Sequence, residues 1–589
     1  MLSKSNNRQL IDRGLDPKLV LFYQVWQELT YRWTIDTYKN KIFNTLNILQ
    51  ETVDVAEKTL AKIYLSYSNI QQCLAETLYI INHDNTLEKH YPTILHMLRR
   101  NLSGLGSKDS DLKRIIAHLK NVITKLDASY IENLLTDLRT AINDGSEKEI
   151  MNLTNCMVSI AIQHGWSSSE LFNCVNILLE SEEINIKWEK FVSKIFYSEE
   201  QERIILINTF FKIKSEGDTG TVFRNLSRLG VEIKSCDDFK EDYPDFADKL
   251  SPKRRYMLMK VSAYDDYSAA HKAIRGISDS LNILSFYNFI EYWDLKDIKI
   301  HVLNKQTKEN RTIHPNDLYK TYNSIDSSNK VFARTCSLLV QDNQAIKERI
   351  LNSFGYTNMS QASLLQEEKF MNAWVALESL TRTQIYNDII SAVKNVLPQA
   401  HCKRYLFRII KNFIEDCIRC EVDLGFVMSG TGDKVNRAES VKKIMTEIND
   451  PLQLARYIEK CSVNSLLSQR LVQIQSLLSD IKTLANRIDE HKERLTWQIQ
   501  RLYRIRNQIA HSALYDTNLL ISYIEHLYDY IFIFTNEVIV CVVDKKVTNI
   551  DEALCILKEN YDEFKFIASD KKTAMTVNDL ICGGIINMI

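Results

Sequence analysis

The chain has 589 residues but only 15 glycines and 7 prolines, and that scarcity constrains its fold more than any other feature. Glycine frees the backbone and proline removes an N–H and fixes φ, so these two residues interrupt regular structure. A chain this poor in both folds into long unbroken helices, and the expected class is mainly α. Its length exceeds what one hydrophobic core organises, which implies roughly three or four domains. With 27 tyrosines and 22 phenylalanines, there is bulk enough to fill them.

Hydrophobic spacing divides the chain. Residues 1–205 read as a helical N-terminal region, where Leu46, Leu49, Val53, Ala56, Leu60 and Ile63 recur at steps of three and four. Residues 206–345 read as a small α/β insert. Within it Arg255–Ala263, Lys299–Leu303 and Thr312–His314 look like strands, and Ala269–Leu284 like a helix. Asp265 and Asp266 precede that helix, and capping explains them better than metal binding. Residues 346–545 return to helix, with Phe370, Trp374, Leu377 and Leu380 at helical spacing. Asp489–Arg494 reads as a turn or helix end, with a new helix from about Leu495 and a long apolar one over Leu519–Val543. Residues 546–589 read as an appended α segment.

A net charge of −1 argues against a general nucleic-acid coat protein but leaves room for a local basic pocket. Twelve scattered cysteines and an N-terminus without an apolar signal core point to a reducing cytoplasm. Asn536 and Glu537 interrupt the most apolar run, so a buried helix is expected there and no membrane partner. His401, Cys402, Cys417 and Cys420 are zinc-ligand types. The residues between them read as one helix, which holds Cys402 and Cys417 about 20 Å apart by rise alone. Hence no metal and no other cofactor is expected. There is no glycine-rich phosphate loop, nucleophile elbow or HExxH pattern.

The segment Arg504-Ile505-Arg506-Asn507-Gln508-Ile509-Ala510-His511-Ser512-Ala513 carries the chemistry. Arginine holds phosphate bidentately, and histidine moves protons near neutral pH. These two groups suffice to cut RNA without a metal. Leu495, Ile499, Leu502, Ile505 and Ile509 form the helix's core stripe. Trp497, Arg504, Asn507 and His511 project to the opposite side, while Arg506 lies near the stripe, about 140° from His511 on a straight helix. The long arginine arm wraps round or the helix bends. An arginine beside a core stripe needs a carboxylate, and the candidate is Glu378, on the apolar helix around Trp374. The bland alternative is that Arg506 and Glu378 merely tie two helices together.

The sequence Phe370-x-x-x-Trp374-x-Ala376-Leu377-Glu378-x-Leu380, followed by Arg501-Leu502-Tyr503-Arg504-Ile505-Arg506-Asn507-x-x-Ala510-His511, resembles the HEPN superfamily. More narrowly it resembles the ApeA-like HEPN domains of bacterial anti-phage defence proteins. The resemblance covers about residues 360–545. It implies a C-terminal HEPN helical bundle that pairs as a homodimer and acts as a metal-independent endoribonuclease. Arg506 and His511 are then the catalytic pair, with Asn507 between them and Glu378 at the acidic position. Arg501 and Arg504 are candidates for binding the substrate, which would be tRNA, rRNA or mRNA. An abortive-infection toxin released by a phage-derived trigger is the implied role. The alternative is a HEPN-type binding or scaffold protein with a structural Arg–His element. Residues 1 to about 345 are expected to restrain the nuclease from a separate domain, leaving residues 346–589 able to fold alone and the Trp497–His511 face free for a second copy.

Overall fold

The computed structural model describes residues 5–39, 43–64, 66–104, 108–208, 210–214, 219–294, 299–318, 329–340, 343–425, 437–511 and 517–569. Helix dominates them, as the lack of glycine and proline requires, and a small sheet region lies mid-chain. The N-terminal helices run from Asn7 to Phe196. Their starts are chemically marked. Asp16 accepts from the Leu19 N–H ahead of Pro17, and Ser146 accepts from the Glu149 N–H. Both satisfy donors that the first helical turn leaves open.

Among the described residues seven strands follow: β1 (Gln201–Ile207), β2 (Phe210–Ile213), β3 (Val231–Lys234), β4 (Tyr256–Ala263), β5 (Ile290–Asp294), β6 (Ile300–Asn304) and β7 (Asn310–Ile313). Five make an antiparallel sheet in the order β3-β4-β1-β6-β7, and β2 pairs with β5 alone. The strands expected over 255–263, 299–303 and 312–314 are thus β4, β6 and β7. The sheet opens earlier than expected, because Ile204-Ile205-Leu206-Ile207 is the buried centre of β1. The helix Asp266–Phe286 lays Ala269, Ala270, Ala273 and Ile277 on one face of the sheet. Phe239, Phe246 and Leu250 cover the other. Asp265 caps this helix by accepting from the Tyr267 and Ser268 N–H groups at 2.9 and 3.0 Å. It also accepts from Ser167 N and Oγ at 2.8 Å each, which ties the module to the N-terminal helices.

The helices after the sheet do not form a separate body. A single apolar core runs from Leu10 through Trp26 and Leu138 to Trp374, Leu502, Phe534 and Phe564. Arg470 and Glu28 make a buried ion pair across it, and the Asp36 carboxylate accepts from His526 at 2.8 Å. A fragment beginning at residue 346, which was expected to fold alone, would lose the N-terminal side of this core. The expected break at Asp489–Arg494 is absent too. Ile481–His511 is one helix of 31 residues. It contains no glycine or proline, and Asp489 is held by Tyr561 and Lys565 of the next-but-one helix. That helix, Ile550–Ser569, packs on Ile389–Lys403 and on Thr517–Asp544, so it belongs to the bundle. The stretch Leu519–Asp544 is long and apolar enough to cross a membrane, but 78% of its most apolar window is buried against the protein, as in a core helix.

Several histidines sit inside this fold. Burial holds His401 and His271 down to about 3 and His301 to about 4, against an ordinary value of 6.5. Each stays neutral when folded but takes up a proton near pH 6.5 when unfolded. Their contribution to stability is therefore complete above about pH 6.5 and is lost as pH falls toward 3–4. The thermal midpoint should drop steadily between about pH 6.5 and pH 4. A flat profile over that window, measured by differential scanning fluorimetry, would contradict their neutral burial.

Candidate functional site

The site is assembled by two helices that share the core. On Gln366–Thr381, Phe370, Trp374, Leu377 and Leu380 point inward and are fully buried, which turns Glu378 toward the flank of Ile481–His511. The Trp374 indole donates from Nε1 to Glu378 Oε1 at 2.5 Å. Arg506 Nε lies 3.9 Å from that same oxygen. The carboxylate is therefore fixed from one side and faces the guanidinium on the other, as the sequence suggested for this pair. Arg506 Nη1 also donates to Asn507 Oδ1 at 3.2 Å. Tyr503 packs beside Trp374, with ring centroids 6.0 Å apart.

Arg506 keeps 28% of its side chain exposed and Glu378 17%, so the pair borders solvent rather than lying sealed in the core. His511 is the last described residue of the helix and is exposed. With no proline or glycine to bend it, the helix carries Arg506 and His511 to different sides of its surface. Ser512 and Ala513, which close the motif in the sequence, lie outside the described residues.

Arg501 and Arg504 are not where a substrate contact was expected. Both are buried, and both are occupied by glutamates of the N-terminal region. Arg501 donates to both oxygens of Glu51, at 2.7 to 3.0 Å, and to Glu76. Arg504 donates to Glu51 Oε1 at 2.6 Å. Phe43 lies under the Arg501 guanidinium at 4.0 Å. Burial alone would raise the Glu51 carboxyl, but Arg501 and Arg504 outweigh it and bring it down to about 2. For Glu76 burial wins, and its carboxyl is pushed up despite Arg501. One carboxylate thus serves two arginines, and the second glutamate completes the cluster.

The same N-terminal helices cover more of this side. Asn69 accepts from Gln500 at 2.7 Å, Tyr64 accepts from Gln508 at 3.2 Å, and Tyr79 packs on Trp497 with centroids 5.4 Å apart. The face bearing Trp497, Arg504, Asn507 and His511 is therefore only partly free for a second copy. Trp497 and Arg504 are taken, while Asn507 and His511 remain accessible. Glu51 and Glu76 gave no signal in the sequence. They are ordinary helical glutamates whose role depends on partners more than 400 residues away in the chain.

The other motif residues are structural. Cys402 packs against the Ile488 carbonyl, and Cys420 lies near Asn464. Among the described residues no group of three or more His, Cys, Asp or Glu is placed to hold a metal ion. No protein-family model, curated protein or solved structure matches the chain.

Glu51 is the most exacting test of this arrangement. Glu51→Ala leaves two buried guanidiniums to share Glu76, and removing one partner of a buried pair costs about 3–5 kcal/mol. Hydrogen exchange should speed up over Thr45–Asn82 and Gln500–His511 while the sheet module stays protected. Unchanged exchange in both helical segments would show that the cluster does not hold them together.

Proposed function

We propose that this chain is a metal-independent endoribonuclease of HEPN type, acting as a cytoplasmic abortive-infection effector against phage. The observation that carries the reading is the Trp374–Glu378–Arg506 arrangement. It sets a solvent-bordering arginine 3.9 Å from a carboxylate, on the helix that also bears the exposed His511. In the proposed reaction the RNA 2′-hydroxyl attacks the adjacent phosphate. His511 accepts or returns the proton, and Arg506 stabilises charge on the phosphoryl oxygens. Asn507 hydrogen-bonds beside Arg506, and Glu378 positions it. The bond to the 5′-oxygen breaks, leaving a 2′,3′-cyclic phosphate and a 5′-hydroxyl. DNA lacks the nucleophile and survives.

One chain offers one histidine, set away from Arg506 around the helix. A two-fold partner bringing its own Asn507–His511 end would complete an acid and a base in one cleft. The Glu51–Glu76 cluster suggests how such a nuclease is restrained. The N-terminal helices sit on the side of the Arg–His helix that a dimer would use, and release requires a state in which those contacts are exchanged for others. A phage-derived trigger would supply that difference.

A second reading has its own support, since Arg506 facing a carboxylate of another core helix is also what a scaffold would need. The two readings separate on variants. Under the nuclease reading, His511→Ala and Arg506→Ala each lower cleavage of tRNA or rRNA in EDTA by about 10²-fold or more, with folding intact by circular dichroism. Under the scaffold reading, Arg506→Ala lowers the thermal midpoint and His511→Ala changes nothing. Wild-type cleavage rates in either variant would remove the assignment.

A further inference from the structure

A cavity of about 290 Å³ lies where the N-terminal helices, the sheet module and the bundle meet. Each part supplies wall. Arg32 and Ser167–Ser169 come from the first, Tyr267 and His271 from the Asp266–Phe286 helix, and Gln366 and Ile521 from the bundle. Two bundle helices bound it, Gln366–Thr381 and Thr517–Asp544. The first also carries Trp374 and Glu378, and the two pack against each other. The cavity is thus separate from the Arg–His site but shares the Gln366–Thr381 helix with it.

Its chemistry selects a ligand. Most charged groups of the wall are already paired: Arg275 with Glu367 at 3.4 Å, Lys272 with Glu200 at 2.8 Å, and Glu525 with Lys39 at 3.3 Å. Arg32 differs. Its guanidinium donates to the backbone carbonyls of Asn316 and Asp317, which orient it without neutralising it, and it makes no ion pair among the described residues. Asp279 is the remaining carboxylate and stands exposed on the wall. Hence Arg32 is the one cation of the wall without an ion pair among the described residues, its charge balanced across the cavity only by the exposed Asp279, and Ser168 and Ser169 share its wall. The rest is suited to a flat apolar body. Tyr267, Ile274, Leu365 and Ile521 line it, and burial keeps the His271 ring neutral. Gln366 Oε1 is buried there and accepts no hydrogen bond from the protein. A buried carbonyl oxygen without a donor is costly. The carboxamide also matches the paired donor and acceptor on an adenine edge.

We infer that this cavity is a mononucleotide-binding site, with the phosphate on Arg32, the base against Tyr267 and Ile521, and the base edge read by Gln366. Its volume sits at the small end of ligand pockets, which favours one nucleotide over two. Because its walls come from all three parts of the chain, occupancy bears on how the N-terminal helices sit against the bundle. The inference stands whether or not the Arg–His site cuts RNA, because it is read by binding.

The test is isothermal titration of the full chain with adenosine monophosphate. One saturable site per chain is expected, with a Kd below about 1 mM. Arg32→Ala and Gln366→Leu should each weaken it at least about tenfold, and Arg506→Ala should leave it unchanged. Gln366→Leu removes that carboxamide at similar size, so it serves should Arg32→Ala fail to fold. Adenosine alone and inorganic phosphate alone should both bind more weakly than the nucleotide. No saturation by about 5 mM would overturn the proposal. So would binding that is lost in Arg506→Ala but kept in Gln366→Leu, since the nucleotide would then occupy the Arg–His site. Phosphate binding as tightly as the nucleotide would leave no role for the base wall, and adenosine binding as tightly would leave none for Arg32.

Discussion

Two guanidiniums buried in one helix are the constraint on which the rest of this structure depends. Arg501 and Arg504 cannot be left unpaired inside the protein, because desolvating a charge without a partner costs more than any nearby packing returns. Their carboxylates, Glu51 and Glu76, come from the other end of the chain. The N-terminal helices are thereby joined to the helix that carries the proposed chemistry. A shared apolar core, the Arg470–Glu28 pair and the Asp36–His526 bond reinforce the same junction. What reads in the sequence as a separate leading region is physically the second wall of the bundle.

On the proposed reading, this junction gives regulation a concrete form. Control through a second state requires contacts that differ between states. An ion cluster that covers part of the Arg–His helix, and a cavity shared by all three parts of the chain, are places where such differences can be made. The cluster is strong in place but easily unbalanced. Glu51 is strongly acidic only because two arginines face it, while Glu76 is held less acidic by its burial. Motion that separates Glu51 from Arg504 would leave Glu51 with Arg501 but Arg504 seeking another partner, and phosphate is the natural substitute for a carboxylate at arginine.

The parts of the fold written in local pattern were legible, and the parts set by distant partners were not. Strands β4, β6 and β7, the capping role of Asp265 and the long apolar helix before Asp544 all follow from spacing and turn chemistry within a few residues. The Glu378–Arg506 pairing followed from one rule, that an arginine near a core stripe needs a carboxylate. Strand β1 was hidden because its centre is an unbroken apolar run, buried on both faces, which carries no alternation to distinguish it from helix. The break expected at Asp489 reflected a dense charge run, but Tyr561 and Lys565 satisfy that aspartate from another helix. Arg504 was placed on the side away from the core stripe, and Arg501 and Arg504 were taken as substrate contacts, because periodicity gives the side of a helix and not what covers it. Their partners lie 425 and 450 residues away, beyond any sequence window.

The central claim is that RNA is cut by attack of its own 2′-hydroxyl, with protein side chains in place of a metal. The most direct measurement uses a short RNA with a single 2′-deoxy substitution at the cleaved position, incubated with the full chain in EDTA, and mass analysis of the products. The account predicts that the unmodified RNA yields a 2′,3′-cyclic phosphate and a 5′-hydroxyl, and that the substituted RNA is not cut at that position. Cleavage of the 2′-deoxy substrate at the same bond, or 5′-phosphate products formed only when Mg²⁺ is restored, would contradict it.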